Sequence, residues 1–395
     1  MNTPFAEAAV RTAPKKGNPP LLEMLGASWN LDAPVVDLAW DHSGSSMAFA
    51  LGDGTLAVAL GSWQRGPSLQ PRPGGGVTLV EAQEPPVPPR KAVVHQGSCL
   101  ALAADPAGGF LSGGDDGRVV HMPLSGDGTV LAHVPDAWID NIATSREGVR
   151  AWSCGRHAHR MQAHQIQDID LPATVNALAF DSKGQQLAMA HAGGVTVWQG
   201  ATSKSPSASE RGLSKTSFQE PRRLLWPGLH RALVWSPDDR YLVTGMQENA
   251  LHGWRMSDGG DIEMGGYEGQ PLSLSFAGDG KYLATSGSMK LVCWRFDPPT
   301  LSKSPDECGI ASLLPVSRVA CHPSQAVVAT GYQNGAVLLY QPGNDAALFI
   351  KASGGGAVTA LAWSGEGTRL AFGTQDGVLG WLSLPPALFR TNSLS

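Results

Sequence analysis

The strongest constraint on this chain is a unit of three short apolar runs that recurs along its length. In the copy at 269–294, residues 272–276 alternate apolar and small side chains, and Gly278-Asp279-Gly280 supplies a turn. Residues 282–286 return the chain, Gly287-Ser288 turns it again, and 291–294 closes the unit. Period-two runs of this length, punctuated by Gly and Asp, predict an antiparallel meander. One such unit cannot bury both of its faces, so it needs neighbours of its own kind. The same frame occurs at 35–59, 99–122, 139–161, 175–198, 230–254, 316–340 and 358–382, which makes eight copies. The residues closing the first run are Trp40, Ala104, Thr144, Phe180, Trp235, Phe276, Cys321 and Trp363. They lie 64, 40, 36, 55, 41, 45 and 42 residues apart, and insertions at 61–90 and 200–222 account for the two long intervals.

These copies carry a recognisable wording. Leu233-Val234-Trp235-Ser236-Pro237-Asp238-Asp239 and Phe276…Leu283-Ala284-Thr285-Ser286-Gly287 stand at equivalent places, and Asp53-Gly54, Asp116-Gly117, Asn334-Gly335 and Asp376-Gly377 mark the turn between the second and third runs. The chain resembles a WD-repeat β-propeller over about residues 22–385. The resemblance implies an all-β, single closed propeller of eight four-stranded blades, with seven as the alternative because the third motif is the weakest. It departs from the family in detail. The Gly-His pair that opens a repeat is mostly missing, the Trp-Asp dipeptide never appears, and Met122 and Tyr340 stand where Trp198, Trp254 and Trp294 end other repeats. His95 occupies the His position of the second repeat, and the resemblance implies a buried hydrogen-bond network of His95, Ser112 and Asp116. The wording at 248–254 and 320–323 is similar to stand-alone proteobacterial WD-repeat proteins.

The last repeat ends near Leu384 without an outer strand, and the segment Leu22 to Trp29 before the first repeat can supply one. Pairing the two ends removes sheet edges that would otherwise recruit another chain, so a monomeric ring is expected. Residues 1–21, rich in Ala, Pro and Lys, read as a flexible leader, 22–385 as the propeller and 386–395 as a tail. Within 61–90, Pro85-Pro86-Val87-Pro88-Pro89-Arg90 favours polyproline II and reads as a stiff spacer. Residues 200–222, Ser/Lys-rich and poor in large apolar groups, read as a solvated loop.

Composition excludes several classes of function. A net charge of −5 provides no basic field for phosphate backbones, so no nucleic-acid partner is expected. No apolar run approaches ~18 residues, and the N-terminus lacks the apolar core of a secretory signal, so no membrane association is expected. Five Cys, odd in number and without close pairs, read as reduced thiols in a cytoplasmic protein.

No nucleophile elbow, phosphate-cradling loop or paired-Cys motif occurs. Gly74-Gly75-Gly76 and Gly354-Gly355-Gly356 precede strands rather than helices, so they read as turns. No catalytic residue and no cofactor are expected. The His residues offer one metal-ligating candidate: His157 and His159 sit at i, i+2 on one strand face with Cys154 near in sequence, although isolated strand His residues ordinarily pack or hydrogen-bond. A rigid propeller presents a rim. The loops offered as a partner-binding rim contain Met246, Gln247, Glu248, Ser288, Met289, Tyr332, Gln333, Thr374 and Gln375. Their apolar and amide side chains suit protein docking, with Trp226 and Tyr267 toward the same rim. The leading expectation is therefore a non-enzymatic scaffold for a protein partner. The alternatives are a metal-handling propeller using 154–164, and a propeller hydrolase or lactonase with a central-channel site.

Overall fold

The computed structural model describes residues 19–61, 66–72, 77–82, 84–199, 220–296, 304–309, 314–385 and 388–389. The repeated triplets form antiparallel strands, and an outer strand completes each sheet. The molecule is a β-propeller of four-stranded blades. The innermost strands are Val35–Trp40, Cys99–Ala104, Asn141–Thr144, Ala177–Phe180, the second half of Arg222–Trp235, Leu274–Phe276, Val316–Cys321 and Val358–Trp363. Each packs beside the next in chain order, and the first packs against the last, so the ring closes.

Backbone hydrogen bonds join the strands into seven propeller sheets, six of four strands and one of six, beside a two-stranded ribbon of Ser68–Pro71 and Val77–Val80. Of the two expected blade counts, eight and the alternative seven, the described sheets bear out seven, because the fourth and fifth repeats share the six-stranded sheet. Two 14-residue strands, Gln186–Gln199 and Arg222–Trp235, make it continuous. Gln186–Gln199 doubles back at Gly193 and Gly194, whose φ values of 87° and 139° are in the region that favours glycine. The reversal brings His191 Nε2 to 2.9 Å from Thr196 Oγ1. An extended span of that length would separate the two by roughly 16 Å. The eight repeats thus survive as eight innermost strands around one channel.

The N-terminal segment closes the last sheet as expected. Gly26–Asn30 pairs antiparallel with Val378–Ser383, with Gly26 opposite Leu382 and Asn30 opposite Val378, and Trp29 lies 4.6 Å from Trp381 between ring centroids. The strand begins at Gly26 rather than at Leu22. Leu21–Leu25 is a helical turn instead, which places Leu22 and Leu25 on one side and buries both against Leu382 and Leu384. Within the segment read as a tail, Phe389 packs edge-on to Trp363 and His322.

Second strands are buried on both faces because each blade has a neighbour on either side. In Ser46–Leu51 every residue is buried, and Met47, Phe49 and Leu51 contact the last blade's Ala371 and Trp381 while Ala48 and Ala50 contact Phe110. A run apolar without alternation is what such a strand requires.

The innermost strands present a further demand, since all of them except Arg222–Trp235 are sheet edges with unpaired backbone groups. Side chains of a neighbouring blade satisfy them. The indole Nε1 of Trp40 donates to Ala362 O, that of Trp235 to Ala179 O and that of Trp363 to Ala320 O, each at 3.1 Å. Thr144 Oγ1 donates to Ala104 O at 2.8 Å and Cys321 Sγ to Ser275 O at 3.1 Å. The residue closing the first run of a repeat therefore ties its blade to the one before. Nearer the channel mouth, Thr359 Oγ1 donates to Val35 O at 2.6 Å and Asn176 Nδ2 to His230 O at 2.9 Å.

Candidate functional site

Two surfaces emerge from this arrangement: the rim at one end of the ring and the channel through its middle. At the rim, the turn between the second and third strands of a blade is bonded to the loop that leads into the next innermost strand. Val94 N donates to Gly54 O, Val134 N to Gly117 O, Gly354 N to Asn334 O and Leu31 N to Gly377 O. A Cβ on Gly335 would strike the Gly354 carbonyl, and the φ of 83° there is one glycine adopts freely. The close approach and the backbone both require glycine, which explains the repeated Asp/Asn-Gly signal.

The nine expected rim residues divide. Gln247, Glu248, Gln333 and Gln375 are exposed, and Ser288 and Met289 are half-buried. Met246, Tyr332 and Thr374 are buried, which corrects their reading as docking side chains. Each ends a second strand, whose side chains face neighbouring sheets. Tyr332 Oη lies 3.0 Å from Tyr340 Oη inside the core, and Thr374 Oγ1 donates to Val378 O at 3.0 Å. Glu248 is also engaged, accepting from Leu229 N at 3.0 Å, and Glu268 Oε2 accepts from Ser288 Oγ and Met289 N at 3.0 and 3.2 Å.

The sequence reading passed over Trp138. It stands in the loop after the second blade, 66% exposed, beside the turn at 115–117, and the next residue, Ile139, donates its N–H to Gly114 O. Its signal was available, since Trp138 immediately precedes Ile139 at the start of the third repeat. Trp226 instead stacks on His252 with centroids 3.8 Å apart, and Tyr267 Oη takes the Trp294 indole N–H at 2.7 Å and lies 2.6 Å from Thr285 Oγ1. Both are structural contacts.

Tyr267 repeats the logic of the second blade. His95 Nδ1 lies 2.9 Å from Asp116 Oδ1 and His95 Nε2 2.9 Å from Ser112 Oγ, with His95 and Ser112 buried. Burial works to raise the Asp116 pKa, but the Gln96 amide and His95 outweigh it and hold the carboxyl below its usual value. His95 stands four residues before Cys99 and Tyr267 four before Pro271, so the same place holds an imidazole in one blade and a phenol in another.

The channel encloses a cavity of about 440 Å³ lined by Asp37, Arg231, Arg318, Asn141 and the apolar Leu38, Leu100, Leu272 and Leu361. Asp37 accepts from the amides of Leu38 at 2.8 Å and Leu102 at 3.2 Å. Burial raises its pKa to about 6, opposed by those two amides and by the Arg318 charge. Arg318 donates from Nε to Thr359 O at 2.6 Å and from Nη1 to Ser317 O at 2.9 Å, and burial lowers its pKa. Among the described residues lining the cavity, Asp37 is the single carboxylate.

The 154–164 candidate places both imidazoles beside the outer strand Gln165–Asp170. His157 Nδ1 lies 2.6 Å from Asp170 Oδ1 and His159 Nδ1 2.7 Å from Asp168 Oδ1, while Cys154 Sγ is 3.5 Å from His159 Nε2. Each imidazole is engaged by its own carboxylate on the outer strand Gln165–Asp170, and burial raises the Cys154 thiol pKa, reinforced by Asp140 and Asp168. Among the described residues, no group of three or more His, Cys, Asp or Glu is placed to hold a metal ion.

No helix among the described residues is long and apolar enough to cross a membrane. Residues 200–219 of the Ser/Lys-rich insertion and 1–18 of the leader lie outside the described residues. No family model matches the chain, and no curated protein does. Among solved structures, the crystal structure of the computationally designed Ika8 protein is similar, with a TM-score of 0.64 and 16% identity over 90% of this chain and 98% of that one. At this identity the likeness speaks for the fold alone.

Proposed function

We propose that this chain is a cytoplasmic WD-repeat propeller that works as a non-enzymatic scaffold, docking a protein partner on the rim that carries the Asp/Asn-Gly turns. The observation that carries the reading is Trp138, an aromatic side chain 66% exposed on a loop held by backbone hydrogen bonds. Exposed Trp on a rigid support is the residue type that most often dominates binding energy at protein interfaces. Gln247, Gln333 and Gln375, exposed in the corresponding turns of other blades, add neutral hydrogen-bonding groups to the same rim. The His95–Ser112–Asp116 network supports the WD-repeat assignment, and all five Cys being free thiols supports a reducing compartment.

The test is affinity purification of the full chain beside a Trp138→Ser/Gln247→Ala/Gln375→Ala variant, with circular dichroism and thermal melting as fold controls. The expected result is an unchanged melt with loss of the proteins that the unsubstituted chain enriches. Recovery of the same proteins at the same yield would refute the rim.

A further inference from the structure

We propose that the central cavity is a binding site for a small oxyanion, a carboxylate or phosphate ligand held between Arg231 and Arg318. Both arginines line the same cavity of about 440 Å³, one from the fifth repeat and one from the seventh. Their circumstances differ and complement each other. Arg318 is fixed: two of its nitrogens bond to the carbonyls of Thr359 and Ser317, which orients the guanidinium and leaves Nη2 without a partner among the described residues. Arg231 is free: its guanidinium makes no hydrogen bond or ion pair with a described residue, and its side chain is exposed.

Neither guanidinium is hydrogen-bonded to a carboxylate of the described residues. Asp37 is within electrostatic influence of Arg318, but it spends its oxygens on the Leu38 and Leu102 amides rather than on the guanidinium. The Arg318 guanidinium is withdrawn from bulk water, and such a group ordinarily acquires a carboxylate or phosphate counter-charge whose oxygens match its planar fork. Two arginines against one carboxylate leave the cavity a net cation-lined space. Leu38, Leu100, Leu272 and Leu361 line the same cavity beside them. Burial pushes the Asp37 pKa upward, so its opposing negative charge weakens as the pH approaches 6.

The experiment is isothermal titration calorimetry of the full chain at low ionic strength with citrate and, separately, inorganic phosphate. Sodium chloride at matched ionic strength is the control. Arg231→Gln removes a side chain that makes no hydrogen bond or ion pair with a described residue, so it leaves the fold intact, and Arg318→Lys keeps the charge while removing the fork. The expected result is saturable binding of citrate or phosphate that falls at least tenfold in Arg231→Gln and weakens in Arg318→Lys. Binding of citrate alone assigns a polycarboxylate, and binding of phosphate alone assigns a phosphate. The proposal is overturned if neither anion binds beyond the chloride control, or if both variants bind like the parent chain. The readout involves no protein partner, so its outcome is independent of the rim assay.

Discussion

Replacing Trp363 by Phe tests whether indole-to-carbonyl ties hold neighbouring blades together. The indole Nε1 of Trp363 donates at 3.1 Å to Ala320 O, a carbonyl on the unpaired edge of the innermost strand Val316–Cys321. Phe keeps an aromatic ring against His322 and Phe389 but removes the donor. Removing the donor leaves the carbonyl without a partner, which costs about 2 kcal/mol. The smaller ring removes roughly 1 kcal/mol of burial, for a total of about 3 kcal/mol. Trp152 is the matched control, because its Nε1 is buried with no hydrogen-bond partner among the described residues. Trp152→Phe loses the same burial but relieves an unsatisfied donor of comparable cost, so its net effect is about 0–1 kcal/mol. Equilibrium urea unfolding of both variants reads the difference, expected at about 2 kcal/mol. Trp40→Phe and Trp235→Phe belong with Trp363→Phe, since each breaks an equivalent tie. Equal losses for Trp363→Phe and Trp152→Phe would refute the idea that these bonds, rather than ring burial, join the blades.

Acid should destabilise the protein below about pH 6.5. Burial holds His191, His230, His252 and His322 below their ordinary value of 6.5, so their contribution is present in full above that pH and is lost as the pH falls through the lower folded-state values. Asp37 acts in the opposite sense: its carboxyl is raised from 3.8 to about 6, so acidification through 6 relieves a penalty, and Asp37→Asn should steepen the acid loss. Melting temperatures from pH 8 to 5 that stay level in both proteins would contradict this. Separately, Lys351 Nζ donates to the carbonyls of Gly335, Ala352 and Gly354 at 2.8–3.0 Å. Lys351→Met should cost about 1–3 kcal/mol and expose the Gly354 amide first, read by hydrogen exchange. Unchanged protection at Gly354 would show that the lysine does not hold this loop.

Much of the fold was legible because it rests on local signals. Period-two runs, Asp/Asn-Gly turns and their recurrence specified the strand triplets, and the missing outer strand after Leu384 pointed to the segment that closes the ring. His95, Ser112 and Asp116 were legible as a set only through the resemblance to the WD-repeat pattern. Only the tertiary structure decided which rim residues face solvent. Met246 and Gln247 are adjacent in sequence, yet one is buried and the other exposed, because the last residue of a second strand still meets the neighbouring sheet while the first residue of the turn does not. Likewise, the merging of the fourth and fifth repeats into one sheet depends on pairing between the second half of Gln186–Gln199 and Arg222–Trp235, across an insertion whose length carries no register information. The convergence of Arg231 and Arg318 on one cavity required the ring itself: 87 residues separate them in the chain, and only circular closure places repeats so distant in sequence around a common axis.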